Sequence, residues 1–516
     1  MYALWGKETE SGEVSRNLLN FIRGKIGPEK DELIWPGRST VPDLPVHDEL
    51  RELLLQCIQS PSISFNSSDR LRHSVGMGGL DYIKLMEGKG VRVVDAVVYP
   101  TEEEIRCLLS KKDERIEIIP YGGGTTVTGG ISSSGSRKYA VSLDTAKLDF
   151  IRIDPTNNVI EAGAGLRGPK IEEELQKYGL TLGNFPESFH YSTLGGWIAT
   201  NAAGQESNRY GKIKDMIIGV RMESPTGTYQ DRIVPGESAF FKLSDIAVGS
   251  EGSFGVITRA WLKVHKKPTR LFYRAYMFKS FEDGIEALRK EFTEGRTPLI
   301  SRLSDESETE MSLLGARDSL SSNLFKSYVT FRMHHLPGAI LIAVSERKED
   351  IKFEGGIGLG SLPSRYWYDE RYSRPFIYNE LLKRGIVAET IETSALWEKL
   401  PVIFRSTKEK FDETTHALGV KGIILCHSSH QYIAGSALYF TFLFYAKENR
   451  GEYLQKIRSE IMRNIIIEGG SISHHHGIGN LQSQFLKEYK GNMFELTKEI
   501  KDYFDPGKSL VPGILD

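Results

Sequence analysis

The sequence predicts an α+β protein: a glycine-rich region in two α/β parts, then a cap region of different texture, then a helical C-terminal region. Three observations carry this. A strand, a capped helix and a second strand follow one another between residues 91 and 119. Segments dense in glycine or glycine and alanine then recur four times before residue 258. From about Arg270 the chain turns to longer amphipathic segments with few glycines. The borders read from these changes are an N-terminal arm over 1–55, a ligand-binding region over 56–266, a cap or substrate region over 267–450, and a C-terminal region over 451–516.

In chain order, the arm carries Pro36, Gly37, Pro42 and Pro45 between two short helical patterns, which predicts a segment draped over a core. Val91–Val98 is an apolar run of the buried-strand type. Thr101-Glu-Glu-Glu104 has the spacing of a capping box, so a helix is expected from there to about Ser110. Ile116–Ile119 makes the next strand and delivers the chain into Pro120-Tyr-Gly-Gly-Gly-Thr-Thr-Val-Thr-Gly-Gly130. Consecutive glycines bring backbone N–H groups close to a ligand, and Thr125, Thr126 and Thr128 add hydroxyl donors. The spacing fits neither GxGxxG before a helix nor GxxxxGK[ST], so this is a phosphate cradle of another type.

The further segments are Glu161–Leu166 after the strand Asn158–Ile160, Ser192–Gly204, and Val248–Thr258. One such loop needs no ligand to explain it. Several together imply close approach of backbone to one large flat object, as an extended dinucleotide demands. Beyond Arg270, Leu271–Phe278 reads as a strand and Phe281–Phe292 as a helix. In Ser436–Tyr445, Leu438, Phe440, Phe442 and Phe444 share one face that reads as core, which puts Tyr439 on the other face with Ala437, Thr441 and Leu443.

Composition narrows the partners. Across 516 residues, Lys plus Arg is 66 and Asp plus Glu is 68, so the summed charge does not call for nucleic acid. Cys57, Cys107 and Cys426 lie far apart with no CxxC pair, which predicts no disulfide framework, no thiolate cluster and a reducing compartment. The N-terminus lacks the pattern of a secretion signal, and no stretch approaches the ~18 apolar residues of a membrane span. A soluble, cytoplasmic protein is expected, with peripheral membrane contact left open.

Near the C-terminus stands Ser473-His-His-His-Gly-Ile-Gly479. On a strand, His474 and His476 would share a face and His475 would point away. Two histidines at that spacing begin a metal site only if other ligands join, and Cys426-His427-Ser-Ser-His430 is their plausible source. Imidazole otherwise serves as a proton carrier near neutral pH or, as imidazolium, as a donor to phosphate oxygens.

The motifs YGGGTTVTGG, SLDTAKL, EAGAGLRG, ESFHYSTLGGWIATNAAG, RYGKIKDM, VGSEGSFGVIT, ETSALW, YIAGSALYF and GGSISHHHGIG, in this order from about Asp69 onward, resemble flavoproteins of the vanillyl-alcohol-oxidase type. Within that superfamily they are most similar to the alkyldihydroxyacetonephosphate synthases. The resemblance implies a two-part α/β FAD-binding domain, a cap with an antiparallel sheet flanked by helices, and FAD in place of a nicotinamide cofactor. By it, Pro120, Gly122, Gly123, Gly124, Thr125, Thr126, Val127, Thr128 and Gly129 hold the pyrophosphate. Ser188, Ser192, Thr193, Gly195, Gly196, Asn201, Gly204, Glu251, Gly252, Gly255, Val256 and Ile257 line the flavin and ribityl regions.

The resemblance further implies that Tyr439 takes a proton from the substrate carbon next to a ketone. A free phenol has a pKa of about 10, so nearby imidazolium would help. His474, His475 and His476 are implied as proton carriers or phosphate contacts beside the flavin, and Arg302 as a substrate contact. Two positions depart from the family. Tyr378 stands where the synthases have a second arginine, with Arg374 nearby, and Asn184 stands where they have a histidine. The implied reaction exchanges the acyl group of an acyl-dihydroxyacetone phosphate for a fatty alcohol without net redox change, in a homodimer. The alternatives are an FAD-dependent dehydrogenase of a D-2-hydroxy acid or alcohol, and a flavin-binding protein without catalysis. No metal is expected. Metal-dependent relatives that oxidise D-2-hydroxy acids carry a second histidine within the stretch matching Tyr432–Tyr439, which this chain lacks, and a glutamate where this chain has His475.

Overall fold

A computed structural model of the chain describes residues 14–28, 30, 33–34, 43–315, 327, 331, 338–373, 376–511 and 514–515. It divides into two compact units. The first is built from Ser39–Gly204, Gly211–Lys267 and His475–Asp516, the second from Met1–Arg38, Gln205–Tyr210 and Pro268–His474.

Among the described residues the first unit holds a two-stranded sheet, Leu180–Thr181 with His265–Lys266, and two more extended ones. The smaller of these two has the strand order Ile63–Ser64, Ala96–Val98, Tyr139–Asp144, Ile116–Tyr121, and its last three strands run parallel. The helix Glu102–Ser110 crosses between two of them. Its capping box is present as expected: Thr101 Oγ1 accepts the Glu104 N–H, and the Glu104 carboxylate accepts the Thr101 N–H. The apolar run from Val91 forms a strand only over Ala96–Val98. Just upstream, side chains stand in for a ladder: Arg70 Nε donates to the Val94 carbonyl and the Val94 N–H donates to Ser74 Oγ.

The larger sheet of this unit is antiparallel throughout, in the order Ile151–Asp154, Val159–Gly163, Val256–Lys263, Ile217–Ser224, Gly227–Gln230. The C-terminal segment closes the edge of the smaller sheet. The Ile118 N–H donates to the Ser509 carbonyl, and the Val511 N–H to that of Ile118. Buried Lys501 then ties the last helix, Asn492–Phe504, to the core by donating to Asp505 Oδ2, the Ser253 carbonyl and the Leu510 carbonyl.

The cysteine expectation is corrected here. Cys57 and Cys107 form a disulfide. Sequence spacing concealed it because the segment after the helix Asp48–Leu55 packs beside Glu102–Ser110, where the Gln59 N–H donates to Glu104 Oε1. Cys426 is a buried free thiol in the second unit.

The second unit is organised on a seven-stranded antiparallel sheet, ordered Ile357–Gly360, Phe272–Phe278, Ala339–Ser345, Ile300–Ser304, Gly422–Ser429, Gly435–Tyr445, Ile386–Leu396. Leu438, Phe440, Phe442 and Phe444 are all buried, and the Phe442 ring packs, tilted by 50°, against Phe411 of the helix Leu400–Ala417. On the opposite face Leu443, Leu425, Ala388 and Ile386 pack against Leu18, Leu19, Ile22 and Ile26 of the helix Arg16–Ile26. The amphipathic spacing of that helix accounts for its docking. Among the described residues no helix is long and apolar enough to cross a membrane.

Candidate active site

The glycine loop leaves the strand Ile116–Tyr121 and folds back on the segment 188–196 of the same unit. A Cβ on Gly122 would lie 2.2 Å from Thr193 Oγ1, one on Gly123 2.2 Å from the Tyr191 carbonyl oxygen, and one on Gly124 2.2 Å from the Tyr121 hydroxyl. Gly123 is therefore required by close packing of backbone on backbone, while Gly122 and Gly124 make room for the Thr193 and Tyr121 side chains, Gly124 with a left-handed backbone at φ 67°. Among the described residues, the N–H groups of Gly122 to Val127 donate to no protein acceptor. Six consecutive half-buried donors without acceptors do not persist in a folded protein unless an anion or water takes them. A pyrophosphate fits this set of donors, with the Thr126 and Thr128 hydroxyls 3.2 Å apart at its end.

The other small-residue segments serve different purposes. Thr193 caps the helix Leu194–Thr200 by accepting the Gly196 N–H, and Asn201 ends it in the left-handed conformation. Ser192 Oγ donates to the Ser188 carbonyl and accepts from Trp197 Nε1. A Cβ on Gly195 would meet Ala164 Cβ at 2.9 Å, and one on Gly204 would meet the Phe185 nitrogen at 2.2 Å. Gly163 and Gly165 are required by the turn at 145–148, whose carbonyls a Cβ would meet at 2.3 and 2.0 Å. Gly252 packs on Pro120 and Gly255 on Met222 and Glu223, while Val256 and Ile257 are buried in their strand.

Glu251 has a role that its motif does not reveal. Its backbone is left-handed at φ 50°, and its carboxylate accepts the Ile478 N–H at 2.5 Å and the Gly479 N–H at 2.9 Å. Burial pushes its carboxyl up to about 7 against the downward pull of those two donors. The Thr128 hydroxyl donates to the His476 carbonyl at 3.4 Å, and the Leu481 N–H donates to the Thr128 carbonyl at 3.1 Å. The turn after the histidines therefore lies flat on the loop 126–130. The histidine run is not a strand, so the alternation of faces that a strand would impose does not apply to it. Gly477 at φ 82° and Gly479 at φ 51° bend it, and carboxylates take its N–H groups where a strand would have a neighbour. The His475 and His476 rings meet edge to face, 4.7 Å apart.

In the second unit, register sets Glu392, Tyr439 and His427 side by side on three adjacent strands and on one face of the sheet. The rings of His427 and Tyr439 stack at 4.8 Å and 21°. Arg302 Nη1 donates to His427 Nε2 at 3.0 Å and Arg302 Nη2 to Glu308 Oε1 at 2.7 Å, while His427 Nδ1 lies 3.2 Å from the same Glu308 oxygen. Arginine cannot accept a hydrogen bond, so His427 Nε2 carries its lone pair and its proton sits on Nδ1, facing Glu308. The helix Glu306–Gly315 that aims Glu308 starts at buried Asp305, which accepts the Glu308 N–H and is paired with Lys408 at 2.7 Å.

His474 sits beside this row. Its N–H donates to Glu392 Oε1 at 3.0 Å, its Nε2 is 2.5 Å from the Tyr432 hydroxyl, and its ring lies 5.1 Å from that of His430, tilted by 31°. His430 has a left-handed backbone at φ 56°, a strain of ~1–3 kcal/mol for a residue with a Cβ, and its Nδ1 is 2.7 Å from Ser207 Oγ. Tyr378 is half-buried against the Leu18–Leu443 cluster, and Arg374 lies outside the described residues. Glu392 belongs to ETSALW and was within reach of motif reasoning. Tyr432 opens YIAGSALYF and was likewise within reach, whereas Glu308 carries no local signal, since only sheet register brings its helix to His427.

Comparison with known proteins gives the family and the cofactor. Residues 94–231 match the FAD binding domain model and residues 268–515 that of the C-terminal domain of FAD linked oxidases, so the cofactor is FAD. The chain is 31% identical to the alkyldihydroxyacetonephosphate synthase of Dictyostelium discoideum, over 97% of this chain and 89% of that one. It is 32% identical to the one from Caenorhabditis elegans, over 90% of this chain and 83% of that one. A solved alkyldihydroxyacetonephosphate synthase superposes with a TM-score of 0.85 at 24% identity, covering 98% of this chain and 97% of the other. With an FAD-binding fold and relatives at this identity over nearly its whole length, the chain belongs to the alkyldihydroxyacetonephosphate synthase family.

Proposed function

We propose that this chain exchanges the acyl group of an acyl-dihydroxyacetone phosphate for a fatty alcohol, with no net change in the oxidation state of FAD. The observation that carries the reading is the row Glu392–Tyr439–His427, which sets a tyrosine hydroxyl among proton-carrying groups on one sheet face. Bound FAD supplies an electron sink for the reacting carbon, and the amides of Gly122 to Val127 would hold its pyrophosphate. Tyr439 takes the proton from the carbon next to the ketone. His474, hydrogen-bonded to Tyr432 and anchored on Glu392, passes a proton onward. Arg302 keeps His427 in one tautomer beneath the Tyr439 ring, while imidazolium at His475 or His476 suits a substrate phosphate.

The substrate chemistry also calls for access to lipid. Phe240 and Phe241 are 100% and 70% exposed at the tip of a loop, which suits shallow insertion into a bilayer. A homodimer is part of the same reading, and light scattering at twice 58.0 kDa would support it. The functional test is anaerobic. Turnover of acyl-dihydroxyacetone phosphate with a fatty alcohol, the flavin remaining oxidised, supports the proposal. Durable bleaching by a D-2-hydroxy acid, without ether product, overturns it in favour of a dehydrogenase.

A further inference from the structure

Glu251 is half-buried, and among the described residues no cationic side chain pairs with its carboxylate. Its two oxygens are instead taken by successive backbone N–H groups, those of Ile478 and Gly479. These open the helix Gly479–Lys490, where the helix dipole also favours an anion. The surrounding glycines match this arrangement. A Cβ on Gly477 would lie 2.8 Å from Glu251 Cδ, one on Gly130 3.2 Å from Glu251 Oε2, and one on Gly479 2.2 Å from the Thr128 carbonyl oxygen. The two glycines that close the histidine motif are therefore the residues that let Glu251 and the loop 126–130 approach the turn. Neither is explained by a ligand.

We infer that Glu251 is a positioning residue that fixes His475 and His476 on the cofactor loop by holding the turn Gly477–Gly479. A glutamine there has one accepting oxygen in place of two, and its NH2 group would face an N–H. An aspartate is one methylene too short to reach both donors. Either change releases the turn from one end while leaving the N–H groups of Gly122 to Val127 untouched.

The test uses the full chain loaded with FAD. Carbethoxylation of His475 and His476 is followed by mass spectrometry in wild type, Glu251→Gln, Glu251→Asp and Gly477→Ala, the last pressing on Glu251 without altering it. The expected result is modification about tenfold faster in all three variants with FAD retained, as loss of a charge-assisted hydrogen bond opens the turn. In turnover, kcat is expected to fall about 100-fold with KM unchanged, as for a misplaced catalytic group. The kinetic arm rests on the synthase reading, but histidine reactivity does not, so failure of one is distinguishable from failure of the other. Unchanged reactivity of both histidines in the folded variants, with or without loss of FAD, overturns the inference.

Discussion

Replacing Gly123 by alanine tests the cradle where it is tightest. The new Cβ would lie 2.2 Å from the Tyr191 carbonyl oxygen and 2.8 Å from Ser192 Cα. Both neighbours are backbone, so the loop must retreat by about an ångström to reach ordinary contact. Overpacking of this kind costs ~1–3 kcal/mol, within the 5–15 kcal/mol by which domains are typically stable, so the variant is expected to fold. The retreat turns two of the N–H groups away from the pyrophosphate. At ~1.5–3 kcal/mol for each hydrogen bond to a charged group, the loss is ~3–6 kcal/mol, or about 10²–10⁴ in Kd. Titration of the apoprotein with FAD, read by flavin fluorescence, measures it. Gly507→Ala is the control, because a Cβ there meets nothing within 4 Å and its backbone is not left-handed. A folded Gly123→Ala protein that binds FAD within threefold of wild type would refute the assignment of the loop.

Arg302→Met should destabilise the second unit by ~3–5 kcal/mol, because it strips a buried carboxylate, Glu308, of its guanidinium partner. Urea denaturation followed by circular dichroism checks this, and nitrogen NMR should show the His427 proton leaving its single tautomer. In the first unit, burial alone would lower the pKa of His73, but hydrogen bonds to Asp144 and Asp69 outweigh it and raise the group to about 9. Its folded-state pKa lies above the unfolded value of ~6.5, so its contribution of about 3 kcal/mol is full below pH ~6.5 and is lost as pH rises through 9. Stability measured against pH should show this loss in wild type and not in His73→Gln. Phe240→Ser combined with Phe241→Ser should weaken sedimentation with lipid vesicles about tenfold or more while leaving turnover of a short-chain soluble substrate unchanged.

Features governed by local sterics were legible in the sequence. The capping box at Thr101–Glu104 and the buried face of Ser436–Tyr445 follow from rules that act within a few residues, whereas the run Gly122–Gly124 announces a close approach without naming Tyr191 and Thr193, its distant partners. Features created by chain crossings were not. The chain passes between the two units at 38, 204, 210, 267 and 474, and no change in composition marks the short excursion Gln205–Tyr210. The resemblance implies Arg302 as a substrate contact and says nothing of its partners in the protein. Only the pairing of Ile300–Ser304 with Gly422–Ser429 brings it to His427. Glu251 stood in a motif suggestive of cofactor contact, and its bond to residues more than two hundred positions later has no local trace. The Cys57–Cys107 bond escaped for the same reason. The conformation of the histidine run was not legible, because nothing in the sequence says which groups accept its backbone N–H groups.

The central claim is that Tyr439 removes the proton from the carbon next to the ketone. It is tested most directly by incubating FAD-loaded enzyme with acyl-dihydroxyacetone phosphate in deuterated water and counting hydrogens exchanged at that carbon by mass spectrometry. The expected result is one deuterium incorporated per turnover by wild type, and incorporation slowed by about 10²–10⁴ in Tyr439→Phe with FAD content unchanged. Undiminished exchange in Tyr439→Phe, or ether formation with no exchange in wild type, would contradict it.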